Sequence, residues 1–356
     1  MPMRGLLLPF SLRFSMLPVR MLLAGFVLCG MGSGAKGQLA PGAAVYDFLR
    51  LAPSAHVAGV GGRGVSIRTE DAAWAWQNPA LLNDSMRGRI QTSVATYAAA
   101  VSMGNINYAG RMQRRTDNSL VGYWHAGTHF VSYGRFVQTD EFGNVQGNFI
   151  AADVALYAGI ARSFGRFSYG GNVKVISSTL ASYTSWGLGL DFGALYYHEK
   201  LDISVGAAFR NIGAQLTPYA PGGPRLPLPA ELEMGITHKL RRAPFRLSLT
   251  ASNLLTIAAL STQPDGAPPT TWDNLGRRLT FGAEVLLHRA FHLRLGYNVQ
   301  RRAELASQNQ SFALTGLTAG FALRVRSFAI EYAYSQLHAA GALSQFTIAY
   351  RPAARR

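Results

Sequence analysis

The sequence predicts an all-β protein, a transmembrane antiparallel β-barrel over residues 88–356. A plug segment at 38–87 and an export signal at 1–37 precede it. Three observations predict this. Apolar and polar residues alternate with period two from residue 88 to the end, as side chains do on opposite faces of a strand. Only 15% of the 356 residues are charged while 48% are apolar, and soluble domains carry about 25% charged residues. Beyond the first forty residues, no apolar run approaches the roughly 18 residues of a spanning helix, which excludes a helical membrane protein.

The export signal comes first in chain order. Arg4, Arg13 and Arg20 precede the apolar run Met21 to Leu28, and small residues follow to Ala35-Lys36-Gly37. A basic n-region, a short apolar core and a small-residue exit make a cleaved secretory signal. The only cysteine, Cys29, lies inside it, and Phe26-Val27-Leu28 before it do not suit a lipoprotein anchor. The mature chain therefore has no thiol, disulfide or Cys-ligated metal. Its net charge falls from +16 to +12, because 1–37 removes four cations and no acid. Nearly all of that charge is arginine, with Lys174, Lys200 and Lys239 the only lysines left. An exported chain meets no genome, so nucleic acid is excluded as a partner. Phosphorylated lipid headgroups suit guanidinium, which grips phosphate with two parallel hydrogen bonds.

Residues 38–87 are rich in Ala and Gly and do not alternate. Trp74 and Trp76 would be exposed in a solvated tail, so the segment is expected to fold back into the barrel as a plug. Asn78-Pro79-Ala80 is its structural motif: Asn-Pro signals a turn, and Pro79 suits the first position of a short helix.

The barrel follows. In 327–335, Phe328, Ile330, Tyr332 and Tyr334 oppose Ala329, Glu331, Ala333 and Ser335; 166–175, 201–210 and 291–300 repeat the pattern. Segments of ten or more residues, with Tyr and Phe near their ends, fit tilted spanning strands and an aromatic girdle better than a soluble sandwich. Polar faces bearing Arg294, Lys174 and Glu331 suit a wet lumen. Fifteen segments can be counted, with 118–126 and 128–139 taken as two. Bacterial single-chain barrels have even strand numbers, so the count must be off by at least one. The longest connections are 217–229, whose five prolines exclude a central strand, and 261–270.

No chemical motif survives scrutiny. Gly59-Val60-Gly61-Gly62-Arg63-Gly64, with Asp84 twenty residues on, matches a nucleotide fingerprint nominally. The mechanism needs a strand before it and a helix after it; here a flexible turn is expected. His125/His129 and His288/His292 have helical zinc spacing, but each pair is expected to straddle a turn or strand end. On one strand they would lie about 13 Å apart. Glu70-Asp71 and Asp140-Glu141 diverge on extended chain. No catalytic, cofactor-binding or metal-ligating set is marked, although a group assembled from distant strands would leave no local signature.

The runs Phe48-Leu49-Arg50-Leu51, Ser54 through Gly62 and Gln77 through Asn83 resemble the opening of the PorQ family, outer-membrane components of the type IX secretion system. The likeness continues through Asn211 to Tyr219, Pro227-Leu228-Pro229, Pro244 to Thr250, Phe281 to Glu284, Leu293 to Asn298 and Phe328 to Tyr334. Asn78-Pro79-Ala80 alone is shared with PorV and the FadL-type fatty-acid channels. His56, where an Arg is expected, and Ser252-Asn253, where a His is usual, depart from the pattern. The resemblance implies a fourteen-stranded FadL-like barrel with an N-terminal hatch in the bacterial outer membrane, and a non-enzymatic role. Such proteins hold the surface protein PorZ in an attachment complex with PorU and PorV, which joins secreted cargo to anionic lipopolysaccharide. Pro218, Tyr219, Pro221, Pro224 and Pro227 form a candidate docking loop. The alternative is a FadL-type channel for hydrophobic small molecules, with a lateral wall opening and a greasy lumenal pocket.

Overall fold

The computed structural model describes residues 44–97, 101–114, 119–255, 271–305, 315–338 and 341–352. The expected signal at 1–37, with Cys29, and the connection 261–270 lie outside the described residues.

Fourteen antiparallel strands close on themselves: β1 (Arg89–Thr96), β2 (Ser102–Gln113), β3 (Leu120–Thr139), β4 (Val145–Phe164), β5 (Phe167–Leu180), β6 (Tyr183–His198), β7 (Ile203–Thr217), β8 (Glu231–Lys239), β9 (Phe245–Ala251), β10 (Leu279–His288), β11 (Phe291–Asn298), β12 (Leu317–Val325), β13 (Phe328–His338) and β14 (Gly341–Tyr350). Each pairs with its neighbours in sequence, and β14 meets β1 from Ile90–Tyr350 to Thr96–Ser344. Closure leaves no edge with unpaired backbone groups, which a hydrocarbon layer would penalise by several kcal/mol each.

Alternation decides which face is which. In β1, Arg89, Gln91, Ser93 and Ala95 are buried inward while Ile90 and Val94 are exposed outward. Leu156, Ile160, Phe192, Leu249, Ile330 and Ile348 continue that outer apolar belt. The fifteenth expected segment does not exist. Residues 120–126, from the first of the two expected segments, and 128–139, the second, belong to the single strand β3, whose pairing with β2 runs unbroken from Ser132 to Tyr123. The apparent break at Gly127 is a point of close packing: a Cβ there would stand 2.3 Å from the Ile106 carbonyl oxygen and 2.6 Å from the Tyr157 hydroxyl.

The two rims differ. One carries the start of β1, the end of β14 and short turns, none longer than 114–119; the other carries the connections 218–230, 252–278 and 299–316. These are the turn end and the loop end below. At the loop end β3 and β4, twenty residues each, run past the roughly ten residues that a spanning strand needs.

Residues 44–88 lie inside the barrel. Ser54 caps helix α1 (Ala55–Gly59) by accepting from the Val57 amide at 3.3 Å. Helix α2 (Trp74–Gln77) follows. Asn78 then caps the 3-10 turn Pro79–Leu81 with Pro79 as its first residue, and Asn83 caps another at Asp84–Met86.

Candidate functional site in the plugged lumen

Among the described residues, six wall side chains bond the backbone of the inner segment. Gln345 donates to Ala52 O (3.1 Å), Thr318 to Gly59 O (3.1 Å), Asn298 to Gly61 O (3.2 Å) and Ser204 to Ser66 O (2.7 Å), while Thr347 Oγ1 accepts from the Ala55 amide (2.9 Å) and His125 holds Asn172, which donates to Ala75 O (2.9 Å). Irregular chain inside a barrel has polar groups that must find partners, and the inward residues of the wall supply them. Glycines let the two surfaces close: a Cβ at Gly193, Gly206 or Gly296 would stand 1.9 Å from Asn78 Oδ1, 2.0 Å from Val65 O or 2.1 Å from Gly61 N. Asn78 lies at this contact, donating to Val65 O (2.7 Å), Ala194 O and Ala207 O while accepting from the Ala80 amide (2.9 Å). Trp74 and Trp76 are fully buried.

Charge is concentrated between segment and wall in three clusters. In the first, Glu231 and Glu233 of β8 receive Arg63 (3.0 and 2.7 Å) and Arg210 (2.9 and 3.2 Å); Arg50 reaches Glu231 at 2.9 Å. Gln77 accepts from Arg210 at 2.7 Å. In the second, Lys174 contacts Asp191 (2.9 Å) and Asn211 (2.8 Å), with its ammonium 4.0 Å above the Trp76 ring. In the third, Glu284 meets His56 (2.9 Å), Arg246 (2.7 Å) and Arg294 (3.2 Å), and Arg294 also reaches Glu331 at 2.9 Å. Lys174, Arg294 and Glu331 thus face inward, but in packed surroundings with charged partners; a wet lumen at their level is the expectation that the structure corrects. The inner segment occupies that space.

His56, Asp71 and Glu331 offer ligand-type atoms within 4.8 Å of one another. Separations of 15 and 260 residues hid this group from sequence reading. Its atoms are already engaged: Asp71 accepts from Ser54 Oγ and the Ala73 amide, each at 2.8 Å, and Glu331 faces Arg294. Burial, then the Glu331 carboxylate, pushes the Asp71 carboxyl up, and His56 pulls it back. The arrangement closes as an ion-pair network between segment and wall.

The other sequence candidates fall apart. His125 and His129 share β3 and do not straddle a strand end, because Leu120–Thr139 is one strand. His125 bonds Asn172 Oδ1 at 2.7 Å, whereas His129 stacks on Phe48 and meets Trp76. His288 and His292 flank the β10–β11 turn, with His292 3.0 Å from Arg324. The run at 59–64 forms a turn after α1, but a tightly packed one rather than a flexible one: Gly61 and Gly62 have φ of 102° and 80°, and only Arg63 of the six is incompletely buried. In the β7–β8 connection, Tyr219 bonds Ser178 at 2.6 Å and Pro227 O accepts from the Val45 amide at 3.0 Å; Pro218 is half-buried, and Pro221 and Pro224 are exposed.

No family model and no curated protein matches the chain. Solved structures do. The Ralstonia pickettii toluene transporter TbuX is 15% identical, with a TM-score of 0.50 over 85% of this chain and 98% of its own. A Pseudomonas aeruginosa FadL homologue is 12% identical, with 0.51 over 84% and 98%. The deltaS2S3 mutant of the monoaromatic hydrocarbon channel TodX is 14% identical, with 0.50 over 83% and 97%.

The fold is FadL-like. In this FadL-like wall the ladder closes through every described strand, and β3 carries a bulge where Ser132 pairs Ala152 but Arg135 pairs Ile150. At the loop end Tyr97, Val101, Tyr133 and Tyr219 pack against an apolar cluster that includes Tyr46 and Phe48 of the inner segment and Leu343 of the wall.

Proposed function

We propose that the chain is a FadL-type passage for hydrophobic small molecules in the bacterial outer membrane, held shut by residues 44–88. The observation that carries this reading is the closed FadL-like wall, with Tyr97, Tyr133 and Tyr219 packed at the loop end against the apolar residues of the inner segment. A small apolar solute gains by leaving water for such an apolar, aromatic cluster, and further passage requires the inner segment to move. The likeness of the fold to the toluene transporter TbuX and the monoaromatic hydrocarbon channel TodX supports the class of solute. Uptake of radiolabelled toluene and decanoate, compared between cells with and without the gene, tests it. Uptake that depends on the gene is expected; equal uptake of both would end this reading.

A second reading has its own support. The residue runs that resemble the PorQ family span the mature chain, and a FadL-like wall is common to both readings. On this reading the barrel is a non-enzymatic anchor for a PorZ-like surface protein, acting with PorU- and PorV-like components during attachment of cargo to lipopolysaccharide. The ion pairs of Arg63 with Glu231 and of His56 with Glu284, which tie the segment to the wall, favour a scaffold of this kind. The same deletion strain decides: a surface protein shed into the medium, with cargo left unattached, is expected for the anchor, and full retention of both would eliminate it.

A further inference from the structure

We propose that the turn-end rim beside the β14–β1 seam binds the phosphate of an anionic phospholipid. A cavity of about 780 Å³ opens there, and six arginines line it, Arg87, Arg89, Arg111, Arg324, Arg326 and Arg351. They come from the end of the inner segment, β1, β2, β12, the β12–β13 turn and the chain after β14. The only carboxylate in the lining, Glu70, is engaged by Arg89 at 2.6 Å and by Arg324. Arg111 Nε is buried, 3.9 Å from the nearest Asp84 oxygen, and makes no hydrogen bond. Arg87, Arg326 and Arg351 are exposed and have no carboxylate in ion-pair reach among the described residues. Such a concentration of guanidinium raises the local concentration of anions and offers paired N–H donors to phosphate oxygens.

The rest of the lining selects lipid. Tyr108, Trp124 and Phe328 border the same cavity from the outer face of the wall. Trp124 lies across Gly110, where a Cβ would stand 2.4 Å from the indole nitrogen, and its ring is 5.4 Å from that of Tyr108. Amphipathic rings at the boundary between hydrocarbon and water, directly beside guanidinium, match a phosphate joined to acyl chains. Free phosphate would use the arginines and leave the rings idle. Short turns of such barrels face the periplasm, so the lipid belongs to the inner leaflet.

Native mass spectrometry of the full-length, delipidated barrel tests this with phosphatidylglycerol, phosphatidylcholine and inorganic phosphate as probes. Phosphatidylglycerol is expected to be retained about tenfold more tightly than phosphatidylcholine, the scale of one charge-assisted contact. The triple variant Arg87→Gln/Arg326→Gln/Arg351→Gln, which changes only exposed residues, should abolish that preference while keeping the folded band on unheated gels. Equal binding of the two lipids, an unaffected triple variant, or displacement of the lipid by equimolar inorganic phosphate would each overturn the proposal. So would an oligo-aspartate peptide that displaces it more readily than phosphatidylglycerol itself, since the site would then belong to an acidic protein.

Discussion

Glu231 accepts three guanidiniums, from Arg50, Arg63 and Arg210, and its side chain is fully buried. Taking away one member of such a group leaves the others charged, desolvated and unmatched, which costs about 3–5 kcal/mol. Glu231→Gln should therefore lower the temperature at which the folded band disappears on semi-native gels, and speed proteolysis within 44–88. Unchanged melting and digestion would show that the cluster does not secure the segment. Gly193→Ala tests the opposite surface. Its methyl would overlap Asn78 Oδ1, which has no slack because it also accepts from the Ala80 amide. The wall is fixed by its ladder, so the segment must shift; Trp fluorescence should redshift as Trp74 and Trp76 become wetter, and an unshifted spectrum would refute the contact.

Elements obey simpler rules. The strands form because period two gives each an oily face and a polar or small one, and the segments near 88–101 and 245–256 can be read that way, with β1 ending at Thr96 and β9 at Ala251. The pattern misleads at Ala126-Gly127-Thr128 of β3, because a glycine packed against a neighbouring Tyr157 looks the same in sequence as one required by a turn. The β3–β4 hairpin beyond the membrane carries a pH effect of predictable sign. Asp140 accepts from Asn144 Nδ2 (3.0 Å) and from the amides of Asn144 (2.8 Å) and Phe142 (2.9 Å), and the Asn144 side chain leads in holding its carboxyl below the ordinary value of 3.8. These bonds favour the ionised form, so their stabilisation is present above the unfolded value and fades as the pH falls through the lowered one. Amide exchange at Phe142 and Asn144, corrected for its intrinsic rate, should accelerate between about pH 5 and pH 2 while β5 amides stay protected. Constant protection in acid would remove the carboxylate from the account of this turn.

At the scale of the molecule, wall and plug are separable in their hydrogen bonds. The ladder that closes β1 on β14 involves no residue of 44–88, whereas the plug depends on the wall for its carbonyl partners and for most of its carboxylates. A chain lacking 44–87 should therefore still migrate as a folded barrel, and in planar bilayers it should pass ions where the full-length protein does not. A closed trace from the shortened chain would mean that the wall collapses or that other residues fill the lumen.

Much of this protein was already determined by its sequence: a strand's two faces are set by adjacent residues, so the pattern alone predicts a barrel, its outer belt and the separate character of 38–87. Asn78-Pro79 likewise marks a local turn through capping geometry. The tertiary structure decided the rest. It decided the strand count, because a glycine's purpose depends on what packs against it, and it decided whether the lumen was wet, because that depends on what fills it. It also matched His56 to Glu284 and Arg63 to Glu231, 228 and 168 residues apart, because charges taken out of water must meet partners that only barrel closure brings within reach.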